Sequence, residues 1–311
     1  MFSNVSNDNV VNNESLVNKP YDKSLDTEFL DHAQCTKTSS LPVIIAKIIG
    51  LLKDLLFTIE TLSSRKRNQQ NYGKVIGNPD TATKMVVLIH GLNAHPSQMD
   101  GHAEAFRKRC GDDVLIFQVQ VHEKGNCHKD VATQKIADVV LPFLRQNPRL
   151  KLYAHGISNG GRLASLLAIK LWNERIAPQR MMVCANSSPF YGTKMMCDPS
   201  SSSFVRNSWK KIVQSPLAGR HSDAIYHDFT WGSQSGRQDI ENMRRAAEAG
   251  VRFEFDGGFA DSKVTPPSFY PSRIRDARYF RPTNIEGHSS IIGSQRTRQV
   301  TSACEFLLVS S

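Results

Sequence analysis

The chain has 311 residues, 40% of them hydrophobic, which is enough for one large domain with a sizeable core and some length to spare. The formal net charge is +10, but there is no helix-turn-helix spacing, no aromatic RNA-binding motif and no dense basic tract beyond Arg65-Lys66-Arg67, so no nucleic-acid partner is expected. The six cysteines (Cys35, Cys110, Cys127, Cys184, Cys197 and Cys304) form no CxxC pair and no repeated spacing, which argues against a disulfide framework or a zinc site and suits reduced thiols in a cytoplasmic setting.

Residues 1–40 are rich in Asn, Ser and Asp, hold six acids against three lysines, and read as a disordered polar leader. The basic surplus therefore lies on the rest of the chain, where it favours anionic surfaces. No charged segment followed by an apolar one opens the sequence, so no ordinary signal peptide is expected. A leader of this composition also suits bacterial effectors exported by contact-dependent secretion; a solvated tail is the plainer reading.

Residues 41–68 differ sharply. Ile44, Ile48, Leu51, Leu52, Leu55, Ile59 and Leu62 recur at helical spacing, Val43, Ile45, Ile49 and Leu56 widen the stripe, and Lys47, Lys53 and Asp54 interrupt it. The uninterrupted stretch is too short for a bilayer, which needs about 20 apolar residues. Two fates are open: the helix packs across the following domain, the more ordinary outcome, or it lies in a membrane interface with Arg65-Lys66-Arg67 against anionic headgroups, making the protein peripheral on membranes.

Residues 69–311 are expected to form the main domain. Lys84 to His90 begins with a continuous apolar run, Met85 to Ile89, suited to a central parallel strand, and ends in His90-Gly91-Leu92-Asn93. A helix over Gln98–Lys108, a strand over Val114–Val121 and a helix over Val131–Leu144 follow. The run Leu150–Ala154 then reads as a buried strand that turns through Gly156-Ile157-Ser158-Asn159-Gly160 into a helix over Arg162–Trp172. Such a turn strains its middle residue and needs small neighbours. Another buried strand, Arg180–Ala185, leads to Asn186-Ser187-Ser188-Pro189-Phe190-Tyr191-Gly192-Thr193. Alternating strands and helices predict an α/β fold, a doubly wound and mostly parallel sheet with helices on both faces.

From 194 to 238 the rhythm stops; the segment mixes a serine run with Phe204, Trp209, Tyr226, Phe229 and Trp231. A helix over Asp239–Ala249 and a strand over Val251–Phe255 with one buried face follow, then Asp256 and Asp261-Ser262-Lys263-Val264-Thr265-Pro266. A last strand begins at Arg278–Phe280, ahead of Gly287-His288 and an apolar helix start.

The string Tyr153-Ala154-His155-Gly156-Ile157-Ser158-Asn159-Gly160-Gly161 resembles the nucleophile elbow of the α/β-hydrolase superfamily, its lipase and esterase branch in particular, although Ile157 stands where many members carry histidine. The resemblance covers roughly residues 84–300 by motif order. It implies Ser158 as nucleophile, His288 as base and Asp261 as the acid, with Asp256 the alternative because it lies nearer the strand end. It also implies an oxyanion hole from the backbone N–H groups of Leu92 and Asn159, and a lid or cap over residues 194–238. The implied activity is hydrolysis of an acyl ester, a lipid included, with no metal or organic cofactor. Thioester hydrolysis, acyl transfer, a catalytically idle binding module and a membrane-targeting role for residues 41–67 remain open beside it. His95, His102, His122, His128, His221 and His227 default to surface or pocket-lining roles.

Overall fold

A computed structural model describes residues 45, 48–59, 69–193, 225, 228–229, 232–257, 261, 264, 268, 270–271, 273–280, 288 and 290–308. All belong to one unit of the chain, residues 38–311. The polar leader, Arg65-Lys66-Arg67 and most of 194–238 lie outside the described residues.

Among the described residues, seven strands form one sheet: β1 (Val75–Ile76), β2 (Lys84–Ile89), β3 (Val114–Val119), β4 (Lys151–Ile157), β5 (Met181–Asn186), β6 (Arg252–Asp256) and β7 (Arg278–Phe280). Their spatial order is β1-β3-β2-β4-β5-β6-β7, parallel throughout except for the antiparallel β1–β3 pair. Strands β2 to β5 are buried on both faces apart from the first residue of β4, in keeping with their largely apolar sequences.

Among the described residues, the helices that pack around the sheet include α1 (residues 48–59), α2 (Asp100–Cys110), α3 (Lys129–Gln146), α4 (Asn159–Asn173), α5 (Gln234–Ala249) and α6 (Ile291–Leu308). Helix α4 packs on β4 and β5 and against α3 and α5, while α6 packs on the same strands and against α2. Val86, Leu88, Tyr153, Met182 and Cys184 share a core with α2 and α6, so alternate strand residues are left for α4 on the opposite face. The doubly wound arrangement read from the alternation of elements is the one observed. Cys110 and Cys184 are buried, and the Cys110 and Cys304 thiols meet at 3.3 Å inside this core.

Several expectations need correction. Helix α5 starts at Gln234, five residues before the expected Asp239, because the Ser233 hydroxyl caps it by accepting from the Gly236 N–H. Strand β6 is buried on both faces: Phe253, Glu254, Phe255 and Asp256 are all enclosed, the polar pair under α6, where Gln299 donates to Asp256 at 3.0 Å. His102 is neither surface nor pocket-lining; it is fully buried, stacked on His155 at 4.6 Å and bonded to Gln299 at 2.9 Å.

Helix α1 docks by an unexpected side. Gly50 and Phe57 are buried and Lys53 and Asp54 half-buried, at i, i+3, i+4 and i+7, so the stripe that meets the domain contains the residues that interrupt the apolar pattern. Ile48, Leu51, Leu52, Leu55, Leu56 and Ile59 are instead 52–67% exposed. The helix does pack on the domain, the first of the two expected fates, but through the stripe that carries Lys53 and Asp54 rather than the apolar one. Among the described residues of α1, Phe57 is the one that joins the core, contributing roughly 1.5–3 kcal/mol.

Candidate active site

The functional candidates leave the carboxyl ends of the parallel strands, where an open α/β sheet presents its loops. In register, Ile89 of β2 lies beside Gly156 of β4, Ile157 beside Asn186 of β5, and Asn186 beside Asp256 of β6. Ser158 follows β4 directly and its N–H donates to the Asn186 carbonyl at 2.8 Å, which ties the turn to the next strand.

Ser158 has φ 54° and ψ −126°, outside the ordinary regions for a residue with a side chain. Such a conformation costs on the order of 1–3 kcal/mol and persists only where its surroundings enforce it. The enforcement is visible in the glycines. A Cβ on Gly156 would stand 2.1 Å from the Gly160 carbonyl oxygen, and one on Gly160 would stand 2.2 Å from that of Ile89. The turn thus closes only with glycine at both places, and β2 passes directly beneath it.

The turn after β2 lies against the elbow, since a Cβ on Gly91 would be 3.4 Å from Ser158 Cβ. His90 sets its conformation. The Val121 N–H donates to His90 Nε2 at 3.2 Å, so the ring proton is on Nδ1, which donates to the Gly91 carbonyl at 2.8 Å. Burial, the largest influence, lowers the His90 pKa to about 4 and keeps the ring neutral. The Ala94 N–H also donates to the Gly91 carbonyl, and Gln98 Oε1 accepts from the Gly91 N–H. In a trans peptide the N–H points opposite the carbonyl, so holding the Gly91 oxygen fixes the direction of the Leu92 N–H. Among the described residues nothing accepts from that N–H. Asn159 opens α4, so its N–H is one of the first-turn donors that a helix cannot satisfy internally. The Asn159 side chain donates to the Gly125 carbonyl at 3.4 Å, joining the elbow to the loop after β3.

On the other side, the structure distinguishes the two candidate acids. Asp261 Oδ2 is 2.7 Å from His288 Nδ1, while its Oδ1 accepts from the Val264 N–H at 2.9 Å. Both Asp261 and His288 are buried. Asp256 is turned to α6 instead, bonded to Arg298 and Gln299, with burial pushing its carboxyl up to about 6. The backbone N–H groups of His288 and Ser290 both donate to Asp54 of α1.

Sequence reasoning missed four contributions: Asp54, which looked like a break in an apolar stripe; the ring of His90, whose place in the His-Gly oxyanion motif was read but whose side-chain bonds were not; Gln98; and Arg162. Arg162 is 1% exposed, donates to Asp239 at 2.6 and 2.8 Å and to the Asp228 carbonyl at 2.7 Å, and Lys129 reaches the other Asp239 oxygen at 2.6 Å. The Thr193 N–H donates to the Phe229 carbonyl and the Gly232 N–H to the Tyr191 carbonyl, so these two pairs of residues lie side by side. Among the described residues there is no group of His, Cys, Asp and Glu able to hold a metal ion.

Residues 79–220 match the family described as "Putative serine esterase (DUF676)". No match is found among curated proteins. Among solved structures, a lipase of Bacillus licheniformis is similar at 15% identity and TM-score 0.50, covering 75% of this chain and 98% of its own. Two metagenome-derived lipolytic enzymes, LipS and LipT, are described with a structure at 14% identity and TM-score 0.48, covering 76% and 97%. A monoacylglycerol lipase of Paleococcus ferrophilus gives 20% identity and TM-score 0.44, covering 75% and 96%. The fold is the α/β-hydrolase fold, and the family match supports hydrolase activity in broad terms.

Proposed function

We propose that the chain is a serine ester hydrolase of lipase or carboxylesterase type, cleaving an acyl ester through Ser158, His288 and Asp261. Ser158 Oγ attacks the acyl carbonyl as His288 Nε2 takes its proton, and Asp261 accepts from Nδ1–H and stabilises the imidazolium. The N–H groups of Leu92 and Asn159 donate to the oxyanion, worth a few kcal/mol in such sites. Collapse of the tetrahedral intermediate expels the alcohol, which takes the proton from His288. Water, deprotonated by His288, then attacks the acyl-enzyme and releases the acid and Ser158. These steps call for no metal or organic cofactor.

The observation that carries the proposal is Ser158 held at φ 54° and ψ −126° between a parallel strand and a helix. A non-glycine residue is kept in that conformation at a stability cost, and it sits where the fold family presents a nucleophile. The test is turnover of p-nitrophenyl esters of graded chain length. Wild type is expected to hydrolyse them and Ser158→Ala to lose activity by more than a thousandfold; equal rates would overturn the reading.

The substrate surface is proposed to be an anionic membrane. Support comes from the exposed aliphatic face of α1, the basic sequence Arg65-Lys66-Arg67 that follows it and the net charge of +10. No helix among the described residues is long and apolar enough to cross a membrane, so contact would be interfacial. Replacing Leu52, Leu55 and Leu56 together by serine is expected to abolish sedimentation with vesicles containing phosphatidylserine. Undiminished sedimentation would contradict this placement.

A further inference from the structure

The inward stripe of α1 ends on the backbone that carries the candidate base. Asp54 Oδ2 accepts from the His288 N–H and Oδ1 from the Ser290 N–H, each at 2.8 Å. Three residues further along α1, Phe57 is buried in a core shared with Ile291 and Ile292, and its ring stands 3.7 Å from where a Cβ on Gly293 would be. The first turn of α6 is therefore gripped twice by the same helix. A carboxylate at this place also meets the positive end of α6, and hydrogen bonds to an ionised acceptor are roughly twice as strong as neutral ones.

We propose that Asp54 is a positioning residue for the reaction: its carboxylate fixes the peptide from which the His288 side chain springs, so that the imidazole meets Ser158 in one orientation. The inference rests on the reading of His288 as the base. Asp261 holds the ring at Nδ1, and Asp54 holds the backbone at the other end of the same side chain. A base gripped at both ends loses the freedom that an unsupported loop would give it, and misplacement by about 1 Å costs up to a hundredfold in rate. The restraint arrives from 234 residues away, on the helix whose outer face is apolar. Contact of that outer face with a surface is thus one hydrogen-bonded step from the base.

The experiment compares the full chain with Asp54→Ala, Asp54→Asn and Asp54→Glu on a soluble short-chain p-nitrophenyl ester, with thermal unfolding recorded for each. Asp54→Ala is expected to lower kcat by tenfold to a hundredfold with KM unchanged, and to slow labelling of Ser158 by a fluorophosphonate by the same factor. Asp54→Glu, which keeps the carboxylate, is expected to recover part of the loss. A purely structural role would lower the melting temperature and leave kcat per folded molecule intact, and that result would overturn the proposal. Should Asp54→Ala not fold, the nearly isosteric Asp54→Asn carries the same comparison, since one of its two acceptors becomes a donor facing an N–H. Active wild type with equally active variants refutes this inference alone, whereas a folded wild type with neither turnover nor labelling refutes the hydrolase reading and this with it.

Discussion

The serine half and the histidine half of the candidate site are held by different physics. Ser158 is fixed by its neighbours in sequence and by the two adjacent strands: glycines that only close backbone approach explains, a hydrogen bond to Asn186, and the β2 turn pressed against it. His288 is fixed by carboxylates from elsewhere, Asp261 after β6 and Asp54 on α1, across 27 and 234 residues. Local geometry makes the first half rigid once the sheet forms. The second half depends on remote elements having docked, so it is the half open to change at residues distant in sequence.

That contrast can be broken from either side. Asp261→Asn is expected to cost roughly 10³–10⁴ in kcat, because the ring loses the partner that fixes its tautomer. Asp256→Asn should stay within a few-fold of wild type in kcat while losing about 1–3 kcal/mol of stability, since Arg298 and Gln299 lose their partner. Equal kinetic losses in the two variants would reverse the assignment of the acid.

On the serine side, Gly160→Ala places a methyl group into the Ile89 carbonyl and should destabilise the fold by about 3 kcal/mol in urea titration. A cost below 0.5 kcal/mol would mean that the elbow is looser than described. A loss of the same order for each of two buried histidines is expected in acid. His90 and His102 are each lowered from 6.5 to about 4 by burial, so the unfolded chain takes up protons first as pH falls. The stability these two neutral rings contribute is complete above about pH 6.5 and is lost as pH falls through about 4, on the order of 3 kcal/mol for each. Melting temperature followed from pH 7 to pH 4 reads it, and His102→Gln should flatten the slope. Least of all, Leu55→Ser on the outer face of α1 should change stability by no more than about 0.5 kcal/mol.

The halves also differ in how far the sequence reveals them. The elbow was legible because its signal is local: an apolar run, two glycines around a serine, and an apolar helical period within 23 residues, Leu150 to Trp172. The approach of Asp261 to His288 was expected from motif order, with Asp256 as the alternative, but that Asp256 faces away needed three dimensions, because only packing turns that carboxylate toward Arg298. Asp54 was read as a flaw in an amphipathic pattern. Periodicity reports which residues share a helix face, but not which face docks, and on α1 the face richest in leucine is the outer one. The alternation in β6 misled for the same reason: a polar residue such as Glu254 can be buried if α6 brings Ser302 to meet it. A buried Arg162 is likewise invisible without Asp239, 77 residues away.

The measurement that bears most directly on the two-halved site is the intact mass of the protein after exposure to a fluorophosphonate, for wild type, Ser158→Ala and His288→Ala. The account predicts a single adduct on wild type, located on Ser158 by peptide mapping, and none on either variant over the same interval. An adduct that survives in Ser158→Ala, or one that forms on His288→Ala at the wild-type rate, would contradict it.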